Sequence, residues 1–279
     1  MPELPEVETI SRGLAKALNG ARIKQVDVRR PDLRFPLPKN LAARLKDRRI
    51  QEIARRAKYI LITLDKNETL VLHLGMSGRV VISYKEEEPD KHDHLVFHFN
   101  NKAIVRFNDP RRFGLCDLVS TDALPRHRLF QHLGLEPLGG NLTPAFLEKK
   151  FKGKKTSIKT ALLDQRLVVG VGNIYASEAL FHAGISPKRL AGKCTQEQIV
   201  KLVPMIKKVL NKAINAGGSS LRDYVQADGE LGNFQNNFAV YDRAGKACRG
   251  CTCNIKKTRG IRRITQGGRS SFYCPVKQI

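Results

Sequence analysis

Residues 59–74 read Tyr-Ile-Leu-Ile-Thr-Leu-Asp-Lys-Asn-Glu-Thr-Leu-Val-Leu-His-Leu, two short apolar runs rich in β-branched side chains with a polar cluster between them. Branching at Cβ suits a pleated strand, and Asp, Lys and Asn together suit a turn, so the stretch predicts successive strands. Runs of the same kind recur outward from it at 22–28, 80–84, 95–99 and 103–107. They predict a β-sandwich over the first half of the chain, with little helix. The exception is the opening, where Val7, Ile10, Leu14 and Leu18 recur at helical spacing behind Pro5, Glu6 and Glu8 until Asn19-Gly20 supplies a stop.

Beyond Gly139-Gly140 the period becomes helical, with helices expected at 143–150, 156–164, 173–183 and 195–216. Thr195-x-x-Gln198 reads as a capping box and Gly217-Gly218 as the end of the longest helix. The fold class is therefore α+β. Three domains are expected, at 1–135, 136–238 and 239–279, and the polar, glycine-bearing stretch 219–238 is expected to hold a mobile loop.

Composition narrows the function before any motif is consulted. Fifty Lys and Arg against 26 Asp and Glu leave a formal charge of +24 on 279 residues. Such a surface seeks a polyanion. No apolar run is long enough to span a membrane and no single helix carries most of the charge, so nucleic acid is the expected partner and a membrane is not. The acidic, proline-containing start is the opposite of a secretory signal, which predicts a cytoplasmic protein. In that reducing setting the crowding of Cys248, Cys251, Cys253 and Cys274 into the last 32 residues points to metal rather than to disulfides.

The terminus itself is a candidate for chemistry. Loss of Met1 before a small residue would free the secondary amine of Pro2, and an α-amino group, with a reference pKa of about 7.7 to 8.0, is partly neutral at pH 7 without burial. An amine of that kind attacks a sugar C1′ to give an iminium, and Glu3 next to it is placed to move protons. Taken alone, prolines and acids at a helix start explain themselves structurally, and only motifs in the rest of the chain favour chemistry there.

Met1-Pro-Glu-Leu-Pro-Glu-Val-Glu-Thr resembles the N-terminal signature of the formamidopyrimidine-DNA glycosylase family. The resemblance continues in family order through Arg55-Arg56-Ala57-Lys58-Tyr59, His73-Leu74-Gly75-Met76-Ser77-Gly78, Lys91-His92-Asp93-His94, Asp109-Pro110-Arg111-Arg112-Phe113-Gly114, the 168–178 segment Val-Val-Gly-Val-Gly-Asn-Ile-Tyr-Ala-Ser-Glu, and Gln266-Gly267-Gly268-Arg269-Ser270. It implies a bifunctional enzyme of base excision repair that removes 8-oxoguanine and formamidopyrimidines from damaged double-stranded DNA and then cleaves the strand. Pro2 is similar to the family's Schiff-base nucleophile, Glu3 to its proton donor, Lys58 to the lysine of β-elimination and Arg269 to the arginine of δ-elimination. Met76, Arg111 and Phe113 resemble the side chains that fill the space left by an extruded nucleotide, which must leave the stack before its C1′ can be reached.

His92, Arg111 and Lys154 match positions that touch DNA, and Asn173 is expected to cap the helix of a helix-two-turn-helix whose amides face a phosphate. The base-selecting residues are expected in the loop at about 223–237. The Gly-x-Gly-x-x-x-Ala at 170–176 approaches a dinucleotide fingerprint, with Tyr175 as one residue extra, but no βαβ pattern surrounds it, so no nucleotide cofactor is expected.

The resemblance further implies a zinc-finger-like β-hairpin at the tail with Cys-x2-Cys at each end. Here Cys248-x2-Cys251 is intact, whereas Lys277 stands where the last cysteine is expected. Cys253 in the fourth position, a three-cysteine site completed by water, and a hairpin held by packing alone all remain open. The expected cofactor is one zinc per chain, the expected state a monomer, and the expected location the bacterial cytoplasm, with association to the nucleoid through DNA binding. Two other readings share the pattern: a non-catalytic basic DNA-binding protein of the same architecture, and an endonuclease-eight-like glycosylase for oxidised pyrimidines.

Overall fold

The computed structural model describes residues 2–220 and 224–279; Met1 and Asp223, the first residue of the expected base-selecting loop, lie outside the described residues. The chain falls into two compact units, one comprising residues 1–131 and 214–235 and the other residues 132–213 and 236–279. The stretch that follows the longest helix thus returns to the N-terminal unit.

The first unit opens with α1 (Leu4–Leu18). Eight strands follow in chain order: β1 (Ile23–Val28), β2 (Ile50–Arg56), β3 (Tyr59–Leu64), β4 (Glu68–His73), β5 (Arg79–Ser83), β6 (Asp93–Phe99), β7 (Ile104–Asn108) and β8 (Leu115–Ser120). They form two four-stranded sheets, ordered β1-β6-β7-β5 and β2-β3-β4-β8, with all pairings antiparallel. Phe97, Phe99 and Phe107 from one sheet share a single core with Ile60, Leu64 and Leu72 from the other, and α1 adds Val7, Ile10 and Leu14 to it. The expected sandwich with its opening helix is therefore present.

Two strands, β2 and β8, lie outside the apolar runs read from the sequence. In β2, Ile-Gln-Glu-Ile-Ala-Arg-Arg, only Ile50 and Ile53 are buried, because the strand lies at a sheet edge and much of its outward face meets water. Lys58, within a run 57–61 that reads as strand-like, lies instead in the two-residue turn between β2 and β3, where Ala57 takes a left-handed φ of 55° and Arg56 pairs with Tyr59.

The second unit contains α3 (Pro144–Phe151), α4 (Ile158–Leu163), α5 (Asn173–Ala183) and most of α6 (Gln196–Asn215); α2 is the short helix Leu41–Leu45 of the first unit. The box before α6 forms as read, with the Thr195 N–H donating to Gln198 Oε1 and the Gln198 N–H to Thr195 Oγ1. Gly217 and Gly218 then turn the chain at φ 74° and 83°. After α7 (Ile255–Thr258) the unit ends in a hairpin of β9 (Arg262–Gln266) and β10 (Arg269–Tyr273).

Candidate active site and nucleic-acid interface

At the head of α1, Pro2 and Glu3 are both buried, Glu3 to 3% exposure. Glu6 lies in the first turn of α1, where an acid complements the helix dipole, but its side chain does something more specific. Its carboxylate is 2% exposed and accepts the Glu3 N–H at 2.9 Å and the Ser219 N–H at 2.8 Å. One buried acid thus fastens the backbone beside Pro2 to the start of the stretch after α6. Tyr224 adds to this anchor by donating its hydroxyl to the Gly217 carbonyl at 2.9 Å, and burial together with the Glu6 carboxylate pushes its phenol above the usual range.

Lys58 is buried in its turn, 8% exposed. The turn is tied to α1 through Glu8, whose carboxylate accepts from Arg55 Nε at 2.8 Å while Arg55 Nη1 donates to the Ala57 carbonyl at 2.8 Å. Burial raises the Glu8 carboxyl, but Arg55 and Arg12 outweigh it and hold the group below its ordinary value. His73, which pairs with Tyr59 across β3 and β4, accepts the Gly75 N–H on Nδ1. Burial, then the charges of Lys58 and Arg34, push it down to about 4, so it stays neutral.

Met76 and Phe113 are solvent-facing, at 41% and 44% exposure, although side chains of this kind more often fill a core. Met76 lies on the turn after β4; Arg111 and Phe113 lie on the turn between β7 and β8, where the Arg111 guanidinium stacks 4.9 Å from the centroid of the Phe113 ring. His92 is half-buried just before β6, with its ring 6.1 Å from that of His94. His94 itself is buried and bonded to the Asp109 carbonyl at 2.9 Å.

In the second unit, Gly267 and Gly268 take φ of 53° and 71° and close the β9–β10 hairpin, leaving Arg269 exposed at the first position of β10. Lys154 is half-buried, its backbone held on both sides by the Phe151 carbonyl and the Gly192 N–H. The expectation for Asn173 is corrected: Gly172 is the cap of α5, and the Asn173 side chain faces the hairpin instead. Its Oδ1 accepts from Lys159 Nζ at 2.6 Å and its Nδ2 donates to the Ser270 carbonyl at 2.9 Å.

Lys159 escaped the sequence reading. It is 1% exposed and also donates to the Ser270 carbonyl and to Ser271 Oγ, at 2.9 and 2.7 Å. A buried ammonium is tolerable only when its donors are satisfied, and these acceptors are Ser270 and Ser271, which follow Arg269 in β10, and Asn173, which itself binds Ser270. The one available signal was a charge flanked by Ile158, Ala161 and Leu162. Glu178, within a quoted motif but given no role, is 1% exposed and accepts the N–H groups of Ala239, Val240 and Tyr241 at 2.8–2.9 Å.

The four tail cysteines converge. Their sulfurs all lie within 4.8 Å of one another, with Cys251 Sγ 3.5 Å and Cys253 Sγ 3.8 Å from Cys274 Sγ. Tetrahedral thiolate zinc, with bonds of about 2.3 Å, needs sulfurs spaced at roughly 3.8 Å, so the donor set fits. The Lys277 ammonium points elsewhere, 4.3 Å from the centroid of the Phe181 ring and donating to the Gly250 carbonyl.

A family model described as the formamidopyrimidine-DNA glycosylase N-terminal domain matches residues 1–116, and one described as the H2TH domain of the same family matches residues 133–225. Among curated relatives, the formamidopyrimidine-DNA glycosylase of Roseobacter denitrificans is 52% identical over 282 residues, covering 98% of each chain, and that of a Jannaschia species is 53% identical over 286 residues, covering 100% of each. Among solved structures, a variant of the Lactococcus lactis protein in complex with DNA containing Fapy-dG aligns with a TM-score of 0.90 at 34% identity over 99% of both chains. The Thermus thermophilus protein aligns at 0.86 and 37% over 99% of this chain and 98% of that one. On sequence and fold together, end to end, the chain belongs to the formamidopyrimidine-DNA glycosylase family.

Proposed function

We propose that this protein is a DNA glycosylase and abasic-site lyase of base excision repair, acting as a monomer on 8-oxoguanine and formamidopyrimidines in duplex DNA in the bacterial cytoplasm. The observation that carries the reading is the buried Pro2-Glu3 start, anchored by Glu6, in a chain of this family. Once Met1 is removed, the Pro2 nitrogen attacks C1′ of the extruded nucleotide. The N–C1′ bond forms as the glycosidic bond breaks, and the damaged base departs with its electron pair. Glu3 protonates O4′ as the sugar opens, and the amine loses its proton to give an iminium. Loss of a C2′ proton then expels the 3′ phosphate, with Lys58 as the proton-transfer group, and Arg269 assists release on the 5′ side. Hydrolysis of the imine returns the free amine.

His92, Arg111, Lys154 and the peptide around Asn173 are assigned to the DNA backbone, and Met76, Arg111 and Phe113 to the space the nucleotide leaves. Zinc held by Cys248, Cys251, Cys253 and Cys274 would cross-link the base of the hairpin that carries Arg269.

Borohydride reduction on a duplex carrying 8-oxoguanine opposite cytosine tests the reading. The wild type is expected to give a covalent protein–DNA adduct and Pro2→Gly none. Retained binding without any adduct in the wild type would instead mean a non-catalytic binder, and faster excision of thymine glycol than of 8-oxoguanine would mean the pyrimidine branch.

A further inference from the structure

Met76, His92, Arg111 and Phe113 reach solvent from three separate stretches of the first unit, and all three converge on Asp109. Asp109 is fully buried at 0% exposure. Its Oδ1 accepts the Ser77 hydroxyl at 2.7 Å, and its Oδ2 accepts the Gly114 N–H at 2.7 Å. The Ser77 oxygen in turn accepts the Arg111 N–H at 3.2 Å. Through its backbone the same residue receives the Arg112 N–H and His94 Nε2 on its carbonyl and donates its own N–H to the His92 carbonyl.

Around this hub the two turns touch at their backbones. A Cβ built on Gly75, itself at φ 59°, would fall 2.3 Å from the Phe113 carbonyl carbon, so only glycine permits the approach. Arg112, between Arg111 and Phe113, is held at a left-handed φ of 56° that its side chain disfavours, and its N–H is bonded back to the Asp109 carbonyl. A residue keeps such a conformation only where its surroundings over-determine it.

We infer that Asp109 and Ser77 are positioning residues that lock the turn bearing Met76 to the turn bearing Arg111 and Phe113, so that the three side chains enter the base stack as one preset wedge. The inference rests on the wedge role proposed above. A wedge made of two independent turns would have to order both at the moment of insertion; one held by a buried carboxylate is already ordered, which lowers the cost of extruding a stacked base. The lock should therefore matter in proportion to how much stacking must be broken. It should matter little once no base remains to be displaced.

The test compares two substrates in single-turnover borohydride trapping: a duplex with 8-oxoguanine opposite cytosine, and the same duplex with an abasic site at that position. For Ser77→Ala, the rate on 8-oxoguanine is expected to fall about tenfold, the effect of losing one hydrogen bond to a charged group, while trapping at the abasic site falls less than about twofold. Asp109→Ala is expected to widen the gap between the substrates. Asp109→Asn, which keeps one acceptor oxygen and can donate to Ser77 Oγ, is expected to recover part of it. Equal losses on both substrates would reduce Ser77 to a folding role and overturn the inference, as would no loss on either. A wild type that traps neither substrate would overturn the glycosylase reading itself, and the positioning inference with it.

Discussion

At the scale of single residues, much of the chemistry here depends on which buried polar groups are satisfied and by what. Glu6, Asp109, Lys159 and Glu178 are each at most 2% exposed, and each has its partners among backbone or side-chain groups a few ångströms away. Leaving any of them unpaired would cost about 3 kcal/mol or more. His73 is the contrasting case, a group kept neutral. Because its folded-state value lies near 4, the unfolded chain takes up a proton on this imidazole below about pH 6.5 that the folded chain refuses. Its contribution to stability is therefore complete above that value and declines as pH falls towards 4. Thermal melts of the wild type between pH 7 and pH 4 are expected to show a falling midpoint, and His73→Gln to show a shallower fall. Equal slopes in the two proteins would contradict the assignment.

At the scale of elements, the β9–β10 hairpin shows how a short ribbon is made rigid. Two strands alone are marginal in water. This ribbon is held near its tip by Lys159 and Asn173, and near its base by the thiol group, where Cys274 follows β10 directly. Glu178 fixes the backbone of residues 239–241 that leads into this region. Metal analysis of the purified protein is expected to give one zinc per chain, and Cys253→Ser to lose most of it, since three thiolates and a water bind zinc less firmly than four thiolates. Zinc retained in full by Cys253→Ser would leave the site to the other three cysteines. The sequence made the hairpin turn legible, because Gly267-Gly268 is the chemistry a two-residue turn requires. It left the fourth ligand open because no ligand spacing in one chain says which thiols the fold brings together.

At the scale of the whole molecule, the charge of +24 sets how the protein meets DNA. Neutralising several phosphates releases their counterions, so affinity for an undamaged duplex is expected to fall by about a thousandfold or more between 50 and 200 mM salt. Electrophoretic mobility or fluorescence anisotropy across that range would measure the slope, and a flat dependence would mean that the basic surface is not the binding surface. Among the described residues, no helix is long and apolar enough to cross a membrane. The chain also returns on itself in a way its linear order conceals: residues 214–235 follow the helical stretch in sequence yet belong to the unit built on the sandwich. The bonds that tie them there, from Ser219 to Glu6 and from Ile82 to the Ala227 carbonyl, join residues more than a hundred positions apart.

The sequence by itself determined the class of fold, most of its strands and helices, the polyanionic partner, and the residues that resemble a catalytic and DNA-binding set. These are written in local chemistry: hydrophobic period, caps, turn glycines, charge balance and ordered motifs. Only the tertiary structure decided that Glu6 serves as an anchor, that Asn173 faces the hairpin instead of capping α5, that four cysteines converge without Lys277, and that Asp109 joins the turns carrying Met76, Arg111 and Phe113. A buried polar group takes its role from whichever partner the folded chain delivers to it, and no periodicity along the sequence encodes that partner.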